Sequence, residues 1–191
     1  MKKLSFSLLA ACLFNLSAAL AQSDNSGVYL TASDFLHGKL SYTAGCSGQM
    51  AGSAVNITLG NKDIIIKQGK QTCKIDKNTV YAIRYGNGRI VRIYKDGCYP
   101  ILNPGEQIPL YGVMDAPVNK GEPITRKYYF SKDAGSDIQD LTLDNLRAAF
   151  PDNKAFQKAL EIQLRTDGEL SAYDNVYKIY KVNEIYNDAD R

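Results

Sequence analysis

The amino-acid sequence predicts a single α+β domain: an antiparallel β meander, closed as a sheet or a small barrel, followed by two or three C-terminal helices. Three observations predict it. Turn-forming residues are concentrated early, with fourteen of the fifteen Gly and five of the six Pro before residue 140. Between residues 55 and 102, short segments rich in β-branched and aromatic residues alternate with turn residues, the pattern of consecutive hairpins. Beyond residue 140, apolar residues recur at spacings of 3 and 4, the period of a helix with one buried face. The β-rich part is expected at about 27–131 and the helical part at about 141–187.

Taken in order, residues 1–21 read as an export signal. Lys2 and Lys3 form a positive start, and Leu4 to Leu20 is apolar apart from Ser5, Ser7, Asn15 and Ser17. That stretch is short and interrupted for a membrane span of about 20 apolar residues, and Ala19-Leu20-Ala21 is a small-x-small cleavage site placed before Gln22. Cleavage between Ala21 and Gln22 leaves residues 22–191 as the mature domain, without a membrane span. The alternative is Leu9-Ala10-Ala11-Cys12, which has the form of a lipoprotein site with Cys12 as the lipidated terminus. Against it, apolar sequence continues through Leu13, Phe14, Leu16 and Leu20, where a lipoprotein has a polar tether. On either route the protein is exported, periplasmic or secreted, or lipid-anchored through Cys12, into a space where thiols oxidise.

GVYLTASDF, from Gly27, predicts a strand that leads into a turn at Ser33-Asp34. VNITL, DIIIKQ, QTCKI, TVYAIRY, RIVRIYK and CYPIL predict strands separated by Gly60-Asn61, Gly69, Asp76 to Asn78, Gly86-Asn87-Gly88 and Asp96-Gly97. Such short connections make antiparallel hairpins, with Asp96-Gly97 as a two-residue turn. In RIVRIYK, Ile90, Arg92 and Tyr94 alternate with Val91, Ile93 and Lys95, so neither face is wholly polar and a partly covered sheet or small barrel follows. The prolines from Pro100 to Pro123 mark loops around IPLYGVM, and RKYYFS reads as a last strand. Thr142 is placed to cap a helix that Pro151 ends, and Asp152 to cap a second at about 153–165 with Phe156, Ala159, Leu160 and Leu164 on its apolar stripe. In YDNVYKIYKVNEIY, Tyr173, Val176, Tyr177 and Tyr180 fit one helix face while Val182 falls opposite.

Three cysteines, Cys46, Cys73 and Cys98, follow the leader, and an odd count leaves at least one unpaired within the chain. Cys46 lies in a glycine-rich stretch. Cys73 and Cys98 lie among strands and are the expected pair if a bridge forms; three buried or free thiols fit the spacing as well.

Composition excludes several function classes. The chain is 45% hydrophobic and 23% charged, in the range of globular proteins. Without Lys2 and Lys3 it holds 21 basic against 20 acidic residues, too even a balance for a nucleic-acid binder that must neutralise phosphates. Charge is split along the chain, +5 over residues 22–131 and −4 over 132–191, read chiefly as solvated faces. Ser or Cys nucleophiles need a base, and His37, in an expected turn, is the one histidine. No zinc spacing or calcium loop occurs, so no metal or cofactor is expected. Asp133, Asp137, Asp140 and Asp144 could gather a cation loosely but read better as a solvated acidic turn before a helix. Gly86-Asn87-Gly88 lacks the following helix that a phosphate loop needs. Tyrosine is in excess, with 13 residues and no Trp, and suits half-buried rims or binding surfaces.

The runs YYFSKDAGSDIQDLTLDNLRAAFPDNKAFQKAL, YDNVYKIYKVNEIY and GVYLTASDFLHGKLSY resemble a family of small, uncharacterised exported bacterial proteins with no known activity. The resemblance implies export and a shared architecture, and no catalytic motif. The expected function is that of an exported envelope protein that acts through binding or structural contacts with an envelope or extracellular partner. The alternative is a hydrolase of envelope or extracellular polymers with an Asp/Glu pair, which is recognised by separation in space and not in sequence.

Overall fold

The computed structural model describes residues 26–41, 56–60, 62–68, 70–115, 120–121 and 123–190. The chain enters as strand β1 (Gly27–Tyr29) and turns at once into a five-residue helix, α1 (Ala32–Leu36). Thr31 makes that turn. Its hydroxyl accepts the Asp34 amide at 3.0 Å while Asp34 Oδ2 accepts the Thr31 amide at 3.2 Å, a reciprocal cap that satisfies two donors left over at a helix start. The turn expected at Ser33-Asp34 is thus the interior of a short helix.

Strands β2 (Asn56–Leu59), β3 (Asp63–Gln68) and β4 (Gln71–Asp76) form a three-stranded antiparallel sheet. There the meander breaks. Asp76 Oδ1 accepts the Asn78 amide at 2.9 Å and caps a single 3-10 turn, Lys77–Thr79, after which β5 (Ala82–Arg84) starts a second sheet with β6 (Ile90–Tyr94) and β7 (Gly97–Pro100). β1 takes the far edge of this sheet, with Val28 opposite Ile83. The tight β6–β7 connection is Lys95-Asp96, one residue before the expected Asp96-Gly97, because Tyr94 pairs with Gly97 and Lys95 takes the left-handed conformation at φ 51°. Gly97 is required for a different reason: a Cβ there would lie 3.0 Å from Tyr99 Cζ and closer still to Cε2.

Strands β8 (Leu110–Asp115), β9 (Thr125–Phe130) and β10 (Gln139–Asp140) make a third antiparallel sheet. A bridge between Ile101 and Tyr111, with the Leu102 amide donating to Leu110 O at 2.9 Å, joins it to β7. The strands run β1-β5-β6-β7 and then β8-β9-β10 as open sheets, not a barrel. Helix α2 (Leu143–Ala149) is capped by Thr142, whose Oγ1 accepts the Asn145 amide at 3.1 Å. Helix α3 (Lys154–Gln163) is capped by Asn153, not Asp152, through a 3.0 Å bond from the Phe156 amide. A 3-10 turn, Asp167–Ser171, leads into a hairpin of β11 (Tyr173–Asp174) and β12 (Ile179–Tyr180), and α4 (Lys181–Ala189) ends the described chain. The tyrosine-rich stretch therefore divides: its first half is a hairpin, and only from Lys181 is it helical, with Val182 and Ile185 fully buried.

Alternation along the strands builds three cores. Val28, Ile83 and Ile93 face Ile57, Ile64, Ile66 and Ile75 of the first sheet. The opposite side, with Tyr29, Ala82, Ile90 and Ile101, meets Tyr111 and Tyr129. Leu110 and Phe130, on the other face of β8 and β9, pack against Leu146, Phe156, Leu160, Val182 and Ile185 of the helices. Both faces of β6 are covered, Ile93 on one side and Ile90 on the other, a fuller cover than the partly covered sheet its mixed alternation predicts. Among the described residues, the ion pairs Lys39–Asp34, Lys127–Asp115, Arg147–Asp144 and Lys181–Glu184 each stay within the β-rich or the helical part.

A buried amide does join them. Asn183 of α4, fully buried, accepts the Ile108 amide at 2.9 Å and donates to Ile108 O at 2.9 Å. Asn103 supports the same loop, donating to Ile108 O at 2.9 Å and accepting the Leu110 amide. Asn183→Ala orphans the buried Ile108 N–H while its carbonyl keeps Asn103, so a loss of about 2 kcal/mol is expected. Urea unfolding measures it, and an unchanged midpoint contradicts the clamp.

Candidate functional site

The residues singled out by sequence separate in space. Cys12, Ala21, Gln22 and Cys46 lie outside the described residues. Cys73 is disulfide-bonded and Cys98 is a free, partly exposed thiol, so the expected Cys73–Cys98 bridge is corrected. Both pack on the apolar cluster between the first two sheets, but a bonded sulfur and a free thiol are not each other's partners.

His37 is exposed at the C-terminal end of α1. Its Nδ1 lies 2.8 Å from Ser33 O and 3.4 Å from Ser33 Oγ. A carbonyl only accepts, so Nδ1 carries the proton in that bond and has no lone pair with which to activate the Ser33 hydroxyl. The acidic series disperses too. Asp133 Oδ1 accepts the Gly135 and Ser136 amides at 2.8 Å each, and hydrogen bonding, led by the Ser136 side chain, holds its carboxyl below the usual range. Asp144 pairs with Arg147 at 3.2 Å. Among the described residues no group of three or more His, Cys, Asp or Glu side chains could hold a metal ion. Gly86-Asn87-Gly88 closes the β5–β6 hairpin, with Gly88 at φ 82° and Asn87 Oδ1 accepting the Arg89 amide at 3.0 Å.

One cleft gathers carboxylates. It has a volume of about 390 Å³ and is lined by Lys62, Asp63, Asp76, Lys77, Asn78 and Asp96. Asp63 and Asp76 are directly opposed across β3 and β4, which places their Cβ atoms about 5 Å apart. Both are exposed, and Asp76 is engaged as the cap of the 3-10 turn.

The most unusual constellation lies elsewhere, around Arg92. Its residue type is ordinarily exposed, yet only 4% of its surface is accessible. Nη1 donates to Tyr111 Oη at 2.8 Å and Ser131 Oγ at 3.3 Å, and Nη2 donates to Ser136 O at 2.8 Å. The guanidinium carbon lies 5.0, 5.4 and 5.8 Å from the ring centres of Tyr81, Tyr94 and Tyr111, within cation–π range. Tyr99 extends the aromatic wall, with its ring 6.3, 6.2 and 5.4 Å from Tyr94, Tyr111 and Tyr129. Tyr81 Oη donates to Ala134 O at 2.7 Å. Burial pushes the Tyr81 phenol well above its ordinary range, opposed by the charge of Arg92. Sequence reasoning noticed the mixed alternation of β6 and the tyrosine excess, but their convergence on Arg92 needs the β7–β8 connection, which no local pattern encodes.

A second feature is exposed. In the β11–β12 hairpin, Asp174 Oδ1 accepts the Val176 and Tyr177 amides at 2.6 and 2.9 Å, and Lys178 closes the turn at φ 56°. The Tyr173 and Tyr180 rings pair at 4.9 Å. On this braced tip Val176 and Tyr177 are 81% and 77% exposed.

No family model, curated protein or solved structure matches the chain. Function is therefore argued from these two features and the carboxylate cleft.

The Arg92 cluster predicts a pH signature. The folded state keeps the Tyr81 proton after the unfolded chain releases its own near pH 10, so the stability it contributes is complete below about pH 10 and is lost as pH rises further. In Tyr81→Phe, the lost bond to the buried Ala134 carbonyl costs about 1–2 kcal/mol at pH 7. Its stability should also fall less steeply than that of the unaltered chain between pH 9 and 11, read by urea midpoints at each pH; parallel curves contradict a protonated, buried Tyr81.

Proposed function

We propose that this chain is an exported protein of the bacterial envelope, periplasmic or secreted, that works by binding a protein partner and not by catalysis, with the tip of the β11–β12 hairpin as its contact. One observation carries the binding reading: two large apolar side chains, Val176 and Tyr177, stand in solvent on a backbone that Asp174 already holds in place. Folding gains nothing from that exposure. Burial against a partner would recover about 1.5–3 kcal/mol per side chain, and the rigid turn lowers the ordering cost of binding. Tyrosine on a preorganised tip is a common binding anchor. The export reading rests on the leader-like residues 1–21 and on the resemblance to small exported proteins. Among the described residues no helix is long and apolar enough to cross a membrane.

The polymer-hydrolase reading has one observation in its favour, the opposed Asp63 and Asp76 beside Asp96 in their cleft. It is the weaker of the two, because a general acid is made by burial of one carboxyl, whereas both of these are exposed and Asp76 serves a backbone cap.

A photo-cross-linking residue placed at 177, in cells that export the protein, tests the proposal. The expected result is one discrete protein adduct on a species whose intact mass begins at Gln22, and no such adduct with the same probe at Ile162, which is 70% exposed on α3. Equal labelling from both positions, or an unprocessed protein, would contradict it.

A further inference from the structure

The guanidinium of Arg92 is short of partners, with five N–H groups and three hydrogen bonds. Its Nη atoms are engaged, but Nε is buried and makes no hydrogen bond, and Tyr94 Oη is buried with no acceptor for its proton, the Lys95 ammonium approaching it as a donor. The two groups belong to one place, since the Arg92 guanidinium carbon lies 5.4 Å from the Tyr94 ring centre. Lys95 comes to the same ring, its Nζ 5.0 Å from the centre, from an exposed position in the β6–β7 turn.

The charge is unbalanced as well. Among the described residues, no carboxylate pairs with Arg92. The nearby Asp133 carboxylate is spent on the amides of its own loop. Asp137 is exposed and acts on Lys95, whose ammonium is held first by the Tyr94 hydroxyl. A buried cation is costly unless it is paired and fully hydrogen-bonded. The tyrosine faces and the Ser136 carbonyl meet part of that demand, and the idle Nε–H shows that they do not meet all of it.

We infer that Arg92, Tyr94 and Lys95 form a binding site for a small oxyanion, a carboxylate or inorganic phosphate. The chemistry of the set selects the ligand class. An Arg Nε–H, a phenolic O–H and an ammonium can all donate, and the two nitrogen groups cannot accept, so a cation is excluded. A guanidinium edge matches the spacing of two oxyanion oxygens, and a charge-assisted bond there is stronger than one to water. Both idle atoms are closed off from solvent, so entry goes with displacement of the Lys95 side chain from the Tyr94 ring, which brings its ammonium to the incoming charge. Nothing in this depends on the hairpin contact.

The test follows the Arg92 Nε–H signal by proton–nitrogen NMR of the full mature protein, titrated with sodium acetate and, separately, with sodium phosphate at constant ionic strength. The expected result is a saturable shift with at least one of the two salts; acetate alone identifies a carboxylate site and phosphate alone a phosphoryl site. Tyr94→Phe, which keeps the ring and the packing, should weaken the apparent affinity about fivefold or more by loss of one donor, and Asp137→Asn should tighten it by removing a competing negative charge. An Arg92 signal that does not respond to either salt overturns the inference. So does a response that is unchanged in Tyr94→Phe and Asp137→Asn, which is a general salt effect.

Discussion

A positive charge buried without a carboxylate is the constraint around which the middle of this molecule is arranged. Arg92 sits on β6, yet its hydrogen bonds end on Tyr111 of β8 and on Ser131 and Ser136 of the loop after β9. Those groups meet the guanidinium because the Ile101–Tyr111 bridge sets the β1-β5-β6-β7 sheet beside β8 and β9. The same junction brings Tyr81 to Ala134 and Tyr99 to Tyr129. It also turns the other face of β8 and β9, Leu110 and Phe130, toward the helices. Surface ion pairs such as Lys127–Asp115, at 2.8 Å and well exposed, contribute little by comparison.

Two polar residues thus tie together three apolar cores. Arg92 works within the sheets, and Asn183 works between the helices and the Ile108 loop. In both cases buried polar groups bond to partners on other elements, so loss of one member leaves others unsatisfied, which makes them selective for this arrangement as well as stabilising. The hairpin of β11 and β12 stands outside this scheme. Its backbone is held by Asp174 and its side chains are offered to solvent, a division between rigidity and exposure that suits recognition more than folding.

Much of this was legible in the sequence because it is local. The strand segments from Val55 to Ser131 match β2 to β9 within a few residues, and Thr142 caps the helix it was expected to cap. Period 2 and a side-chain cap are properties of neighbouring residues. What was not legible depends on competition or on distance. Asp76 to Asn78 carry turn chemistry that suits a hairpin and a capped 3-10 turn equally, and the second outcome splits the meander. In the tyrosine-rich tail, Tyr173, Val176, Tyr177 and Tyr180 fit a helix face by spacing, but Asp174 captures the amides of Val176 and Tyr177 and folds a hairpin first. Cys73 and Cys98 lie on strands, as their surroundings in the sequence predict, and share an apolar cluster, but Cys98 is free and the expected pairing does not form. Of the candidate site, the sequence showed an arginine in an apolar strand and a surplus of tyrosines; the fold alone shows that they meet.

The central claim is that Arg92 holds β6 against β8 and the loop after β9. A double-mutant cycle of Arg92→Met and Tyr111→Phe, with stability from urea unfolding of all four proteins, tests it most directly. The account predicts a coupling energy of about 1.5–3 kcal/mol between the two positions, the range of a buried hydrogen bond from a charged donor. Additive losses, with coupling near zero, would mean that β6 meets β8 and the loop after β9 for reasons in which Arg92 has no part.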